Sequence, residues 1–246
     1  MQPNGDTVQQ QLNFALSRLL NKRTSSMGCG RTDAGVHATD FYAHFTTEQE
    51  LTDKFAYKLN SVLPNDINVF KLIPVAPNAH TRFDATEREY EYYFHFEKNP
   101  FLRHYSFHIQ YRDIDWESVK AATLLLPTFK DFTSLCRPSE DFKTNLCDLK
   151  YAFWEEINPP FGVGHNYTPN PLLPPTFSDG MRFTIASNRF LRGMVRKTVG
   201  ALLAIGRGQL KVADFEAVVL AKGEFKSVYF APPQGLYLTK VSYPYI

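Results

Sequence analysis

The residues best suited to chemistry lie in a glycine-rich segment near the amino terminus. The segment reads Gly28-Cys-Gly-Arg-Thr-Asp-Ala-Gly-Val-His-Ala38, with three glycines among its first eight residues. Glycine permits unusual backbone angles and the close approach of a ligand, so Asp33 is a candidate nucleophile or general base. Asp and Gly also form ordinary turns, and composition alone gives the two interpretations equal weight. No Gly-Lys-Ser/Thr follows, so this is not a Walker phosphate loop.

A second group of candidate residues is a set of cations late in the chain. Arg189, Arg192 and Arg196 recur at helical spacing, and Lys197 follows directly. Such runs are usually a solvated helix face. Three guanidinium groups on one side of a helix are also suited to binding a phosphate or a carboxylate.

The elements that must position these residues mix helices with strands. Apolar spacing predicts helices at residues 8–20, 48–62, 116–126, 189–205 and 214–222, and strands at 39–46, 67–75, 86–97, 146–157, 181–187 and 235–243. The segment 158–180 is rich in proline and is expected to be a loop or insertion. This order favours an α+β fold with a largely antiparallel sheet.

The clearest strand, residues 86–97, has a period of two. One side carries Tyr90, Tyr92, Phe94 and Phe96, and the other carries Glu89, Glu91, Tyr93 and His95. Without further information, Tyr90 is an ordinary cross-strand aromatic residue.

Composition sets broad limits on function. The 246 residues are 43% hydrophobic and 21% charged, with a net charge of +2, which neither demands nor excludes a nucleic-acid partner. Cys29, Cys136 and Cys147 form no C-x-x-C pair, so reduced thiols in a cytoplasmic protein are expected. The longest apolar stretch, Val199–Ile205, is too short for a membrane span. His104 and His108 lack a third ligand, so no metal site is expected.

Several motifs together carry a resemblance to a known family. The string Gly30-Arg-Thr-Asp-Ala-Gly-Val-His-Ala38 resembles the signature loop of the tRNA pseudouridine synthase A (TruA) family. Other segments resemble the same family in the same order, and they are 60–67, 83–92, 130–134, 189–200 and 231–236. The resemblance therefore covers almost the whole chain.

The resemblance implies a pseudouridine synthase fold and a set of site residues. Two similar α/β halves are expected, 1–105 with the nucleophile loop and 106–246 with the arginine helix, sharing a catalytic cleft. Asp33 is the implied nucleophile and Arg196 its partner. Tyr90 is implied to pack against the target uracil, and Arg31 to help displace the base from its stack.

The resemblance also implies a reaction and a substrate. The expected activity is isomerisation of uridine to pseudouridine at positions 38–40 of the tRNA anticodon arm, by a homodimer that needs no cofactor. The partner is then tRNA, and no membrane is involved. Candidate phosphate contacts are Lys22, Arg23, Arg189, Arg192 and Lys197.

One departure from the family and two alternative functions accompany this interpretation. Family members usually open with a strand and a Gly-Trp-Gln segment that precede the first helix. Met1–Val8 is expected to correspond to the part of the family sequence just after that segment. A truncated sequence or a misplaced start would account for the missing strand. One alternative is a non-catalytic RNA-binding module, although the residues implied for catalysis are intact. The other is an Asp-dependent nucleoside hydrolase, which would not need the scattered arginines.

Overall fold

The computed structural model describes residues 6–52, 54–111, 113–138, 144–157 and 180–246. Its helices and strands in chain order are α1 (Val8–Leu20), β1 (Met27–Gly28), β2 (His37–Ala38), β3 (Ala43–His44), α2 (Phe55–Asn60), β4 (Glu87–His95), β5 (Phe107–His108), α3 (Trp116–Leu125), β6 (Leu149–Ile157), β7 (Gly180–Ser187), α4 (Met194–Gly206), α5 (Val212–Leu220) and β8 (Leu236–Ser242). The segments 1–5 and 158–179, which include the predicted start of the chain and most of the proline-rich loop, lie outside the described residues.

The chain divides into two compact units. The first comprises residues 1–31 and 41–85, and the second comprises residues 32–40 and 86–246. The two similar halves expected at 1–105 and 106–246 are a different division of the chain and stay a prediction.

The first unit is built around α1 and α2. The hydroxyl of Thr7 accepts a hydrogen bond from the Gln10 backbone N–H at 3.2 Å, which caps α1. The two helices share a small apolar core made of Ala15, Leu16, Leu20, Phe55, Leu59 and Leu63. β1 and β3 pair antiparallel beside them in a separate two-stranded sheet.

Two predictions for the first unit are wrong. The helix expected at 48–62 is limited to α2, which buries Phe55 and Leu59, one turn apart, in the small core. The strand expected at 67–75 does not form, and at Val69 the side chain of Asn60 occupies both backbone groups that a partner strand would bond. Its amide donates to the Val69 carbonyl at 2.8 Å and its oxygen accepts from the Val69 N–H at 2.7 Å.

The second unit holds a mixed sheet in which antiparallel pairs dominate, as the sequence predicts. Within the described residues the strand order is β2-β8-β4-β7-β6, with β5 added at the end of β4. The three long pairs, β8 with β4, β4 with β7 and β7 with β6, are antiparallel. The short strands β2 and β5 pair parallel to β8 and β4.

The alternation expected along β4 is confirmed. Tyr92 and Phe94 are fully buried, in one core with α3, α4 and α5. The opposite face carries polar pairs, in which Glu91 meets Arg182 at 3.3 Å and the Tyr151 hydroxyl donates to Glu89 at 2.6 Å. β4 therefore separates an apolar layer from a hydrogen-bonded polar one.

The start of α4 differs from the prediction. The sequence favours a helix from residue 189, but Gly193 has a φ of 68° and α4 begins only at Met194. A left-handed residue cannot continue a right-handed helix, so residues 189–193 lie outside α4, and the Met194 N–H closes a turn on the Leu191 carbonyl at 3.1 Å. Arg189 and Arg192 therefore do not lie on one helix face with Arg196.

No helix within the described ranges combines the length and the apolar character needed to cross a bilayer. Those same residues bring no three His, Cys, Asp or Glu side chains together as a metal site would. All three cysteines are buried free thiols, and burial raises the pKa of Cys147 to about 11.

Gly200 lies where α4 closely approaches the backbone at Tyr229, in the segment after α5. A Cβ at this position would lie 1.8 Å from the Tyr229 carbonyl oxygen, so Gly200→Ala must force the backbones apart. We expect a loss of about 1–3 kcal/mol in the free energy of unfolding, measured in urea. The control is Gly223→Ala, whose Cβ would meet its nearest neighbours at an ordinary 3.6 Å. Equal stability of the two variants would contradict this close approach.

His95 makes the stability of the fold sensitive to acid. Burial, together with the charge of the stacked His108 ring, lowers its pKa to about 4. Between pH 6.5 and about 4 the unfolded chain binds a proton that the folded chain does not, so stability falls as pH falls. We expect urea titrations of His95→Phe to show a smaller loss over this interval. An unchanged loss would mean that other groups account for it.

Candidate active site

Asp33 sits in a turn that is fastened to the sheet of the second unit. The Val36 N–H donates to the Asp33 carbonyl at 3.1 Å and closes the turn. β2 then pairs with β8, and the ring of His37 stacks on Tyr237 with 4.6 Å between centroids. The carboxylate therefore lies only a few residues from a strand of the sheet.

Arg196 is held in place by the segment that precedes β8. Its Nε donates to the Ala231 carbonyl at 2.6 Å, and the Ala231 N–H donates back to the Arg196 carbonyl at 2.9 Å. These two hydrogen bonds fix the backbone of α4 and the direction of the guanidinium together.

Asp33 and Arg196 form an ion pair across 163 positions of sequence. Arg196 Nη1 donates to Asp33 Oδ2 at 2.5 Å. The two side chains are only 25% and 12% exposed, so water screens the pair weakly. One carboxylate oxygen is held by the guanidinium, which is a suitable arrangement for an ionised acid that must react with a bound substrate.

Tyr92 forms part of the wall behind this pair. Its hydroxyl donates to the Pro232 carbonyl at 2.6 Å, next to the residue that holds Arg196. Burial raises the pKa of Tyr92, an effect that the charge of Arg196 partly opposes. The phenol therefore stays neutral and remains a donor, which ties the segment before β8 to the central strand β4.

Tyr90 lies two residues earlier on the same face of β4. Its strand neighbours are Ile185 and Leu238, and it meets the ring of Phe190 edge-on at 5.0 Å and 85°. The ring is half-buried. Its surroundings are compatible both with a packed cross-strand aromatic and with a ring that presents a remaining face to a substrate.

The other predicted residues are divided between the two units. Arg31 and Arg23 are exposed in the first unit, where Lys22 also forms an exposed ion pair with Glu48 at 3.5 Å. Arg189, Arg192 and Lys197 belong to the second unit, with Asp33, Tyr90 and Arg196. The roles of all these residues stay predictions.

Two residues near the ion pair have no sequence signal of their own. Phe230 lies just before Ala231, and its ring has the guanidinium of Arg137 at 4.5 Å from its centroid. Neither was singled out by motif or spacing, although Phe230 directly precedes the segment 231–236 that resembles the family. Only contacts between distant segments reveal them.

Comparisons with known proteins identify the family of this chain. A family model described as tRNA pseudouridine synthase matches residues 129–244. A protein named tRNA pseudouridine synthase A from Bacteroides fragilis is 42% identical over 99% of this chain and 90% of its own length. A protein of the same name from Bacteroides thetaiotaomicron is 41% identical over 99% of this chain and 84% of its own length. Another from Bacillus licheniformis is 34% identical over 99% of this chain and 92% of its own length.

These likenesses, together with the Asp-bearing loop and the sheet, define a pseudouridine synthase. The chain belongs to the tRNA pseudouridine synthase A family. The resemblance based on the sequence motifs is thereby confirmed.

A double-mutant cycle measures the strength of the central ion pair. We expect Asp33→Asn and Arg196→Gln to show a coupling of about 1.5–3 kcal/mol in the free energy of unfolding, because the pair is a charge-assisted hydrogen bond shielded from water. Arg196→Gln alone should cost more than Asp33→Asn, since it also removes the donor to the Ala231 carbonyl. Additive effects in urea titrations would show that the two groups do not interact in solution.

Proposed function

We propose that this protein isomerises uridine to pseudouridine in tRNA, with Asp33 as the nucleophile. The observation that carries the proposal is the ion pair of Asp33 with Arg196 in a chain of this family. It joins the acid of the glycine-rich loop to the arginine of α4, the two groups that the family resemblance assigns to catalysis.

The reaction needs little besides a positioned acid. The C1′–N1 bond of uridine breaks, a C1′–C5 bond forms, the proton on C5 leaves and N1 gains a proton. Atoms and electrons balance without an oxidant, a reductant or an energy source. A single carboxylate can attack a carbon of the nucleoside or remove a proton from its sugar, and the proposal covers both routes.

Arg196 supports this chemistry by pairing with the carboxylate and fixing its direction. The short hydrogen bond at 2.5 Å leaves the second carboxylate oxygen for the substrate. Because the backbone of Ala231 holds Arg196 at two points, little reorganisation is needed when a nucleotide enters.

The base must leave the RNA stack to reach Asp33. Extrusion costs a few kcal/mol and is easiest in a loop or at the end of a stem. In this proposal Tyr90 stacks against the uracil, a contact worth roughly 1–3 kcal/mol per base. Arg31, two residues before the nucleophile, helps to displace the base or holds its phosphate.

The finer features of the proposal follow the family resemblance. The target uridines are at positions 38–40 of the anticodon arm, and the enzyme acts in the cytoplasm as a homodimer built from two similar α/β halves per chain. Contacts to the RNA backbone come from the cations Lys22, Arg23, Arg189, Arg192 and Lys197. A dimer would double the modest net charge of +2.

Tritium release from C5 tests the proposed reaction. tRNA carrying uridine tritiated at C5 should lose its label when incubated with the protein, because the new bond forms at that carbon. We expect Asp33→Ala to lower the rate by at least about a thousandfold, since no other group replaces a nucleophile. Asp214→Ala is the matched control, because Asp214 is an exposed acid in the first turn of α5.

The outcomes separate the alternatives. Binding of tRNA without release by the parent protein would indicate a non-catalytic module. Liberation of free uracil would indicate a hydrolase. Release that persists in Asp33→Ala would overturn the assignment of the nucleophile.

A further inference from the structure

The ring of Phe230 lies over the turn that precedes α4. The hydrogen bonds between Ala231 and Arg196 bring the chain there. A Cβ on Gly193 would lie 2.7 Å from Phe230 Cε1, so the ring occupies space that only glycine leaves open. Phe230 is half-buried, with its position set by its neighbours on both sides.

Three cations surround this single ring. From its centroid, the guanidinium of Arg137 is 4.5 Å away, the ammonium of Lys197 5.8 Å and the guanidinium of Arg196 6.0 Å. An aromatic face attracts cations through its quadrupole, so the ring offsets part of their mutual repulsion. The Arg137 backbone N–H also donates to the Arg192 carbonyl at 2.9 Å, which anchors this arginine to the same turn.

Among the described residues, the three cations of this cluster meet one carboxylate. Asp33 neutralises Arg196. Among the described residues, neither Arg137 nor Lys197 is paired with a carboxylate. Both side chains are half-buried, which makes their hydration poorer than on an open surface. Two cations held together beside an ion pair form a strong local attraction for an anion.

We propose that Arg137 and Lys197, gathered on the ring of Phe230, together bind one backbone phosphate of the tRNA next to the target nucleotide. The proposal rests on the proposed function, since it concerns the substrate of the Asp33 site. It adds Arg137 to the predicted phosphate contacts, gives Lys197 a partner and makes Phe230 the residue that positions both.

A phosphate is the anion that fits both the cluster and the substrate. RNA carries one phosphate per nucleotide, and a base drawn to Asp33 brings its sugar and the adjoining phosphates with it. The planar guanidinium of Arg137 can hold two phosphate oxygens at once, while the ammonium of Lys197 supplies a point charge. Phe230 is a positioning residue, because it acts through the cations that it holds.

Equilibrium binding of tRNA across a series of salt concentrations tests the proposal. We expect Arg137→Gln and Lys197→Gln each to weaken binding by roughly tenfold, which corresponds to one lost charge-assisted contact. The double variant should lose less affinity than the product of the two single losses, because the cations share one phosphate. For the double variant, the slope of log affinity against log salt concentration should be smaller in magnitude than that of the parent protein by about one.

Arg207→Gln is the matched control. Arg207 also lies over an aromatic ring, 4.3 Å from the centroid of Tyr111, but at the opposite end of α4. The variant makes the same change of charge and removes a similar cation–π contact. We expect its affinity and salt dependence to equal those of the parent protein.

Variants of the ring keep the test decisive if Arg137→Gln does not fold. Phe230→Leu keeps an apolar side chain but removes the quadrupole, so we expect a higher KM for tRNA. Phe230→Tyr keeps the aromatic face and should restore the parent KM, whereas a residue needed only for packing would not show this pattern. Arg137→Lys keeps the charge and should retain the parent salt dependence.

The results that overturn the phosphate site differ from those that overturn the reaction. Parent-like affinity of both Gln variants at every salt concentration, or losses that multiply in the double variant, would exclude one shared phosphate. Absence of tritium release by the parent protein, with the expected salt dependence intact, would reject the proposed function and leave the phosphate site standing.

Discussion

The ion pair between Asp33 and Arg196 is the contact on which the arrangement of the site depends. It closes a connection between the loop before β2 and the helix α4, and Ala231 extends the connection to the chain entering β8. Three distant segments thus meet within the second unit. Because the pair is largely shielded from water, each charge offsets part of the desolvation penalty of the other. Asp33 is therefore connected by hydrogen bonds to the segments that hold Arg196 in place.

The sheet provides the rigidity that such a pair requires. β4 lies between two antiparallel neighbours, and its apolar face packs on the helices that include α4. Tyr92 links this strand to Pro232 by a hydrogen bond, so the same residue belongs to the core and to the wall of the site. The polar face of β4 is held by its own ion pairs and does not compete for the apolar layer. Packing and site geometry consequently reinforce each other.

The parts of the fold that were predicted well share a clear local pattern. β4 alternates between a buried apolar face and a polar one, and β7 and β8 are short apolar-rich runs, so short-range sequence defines them. The failures arise where one residue overrides the pattern. Gly193, with its positive φ, delays the start of α4. The side chain of Asn60 forms hydrogen bonds with the backbone N–H and carbonyl of Val69, the groups that would pair with a neighbouring strand. The spacing of apolar residues predicts neither the late start of α4 nor the hydrogen bonds of Asn60.

The sequence by itself determined the family, the glycine-rich loop with Asp33, and the pairing partner that the family resemblance assigns to it, because these are carried by residue identities in a fixed order. Only the tertiary structure decided how the groups are held. The two bonds from Ala231 to Arg196, and the three cations around Phe230, join segments that lie far apart in the chain. Such contacts depend on distances through space. Local sequence does not encode them, because no short-range preference specifies which distant backbone a side chain will meet.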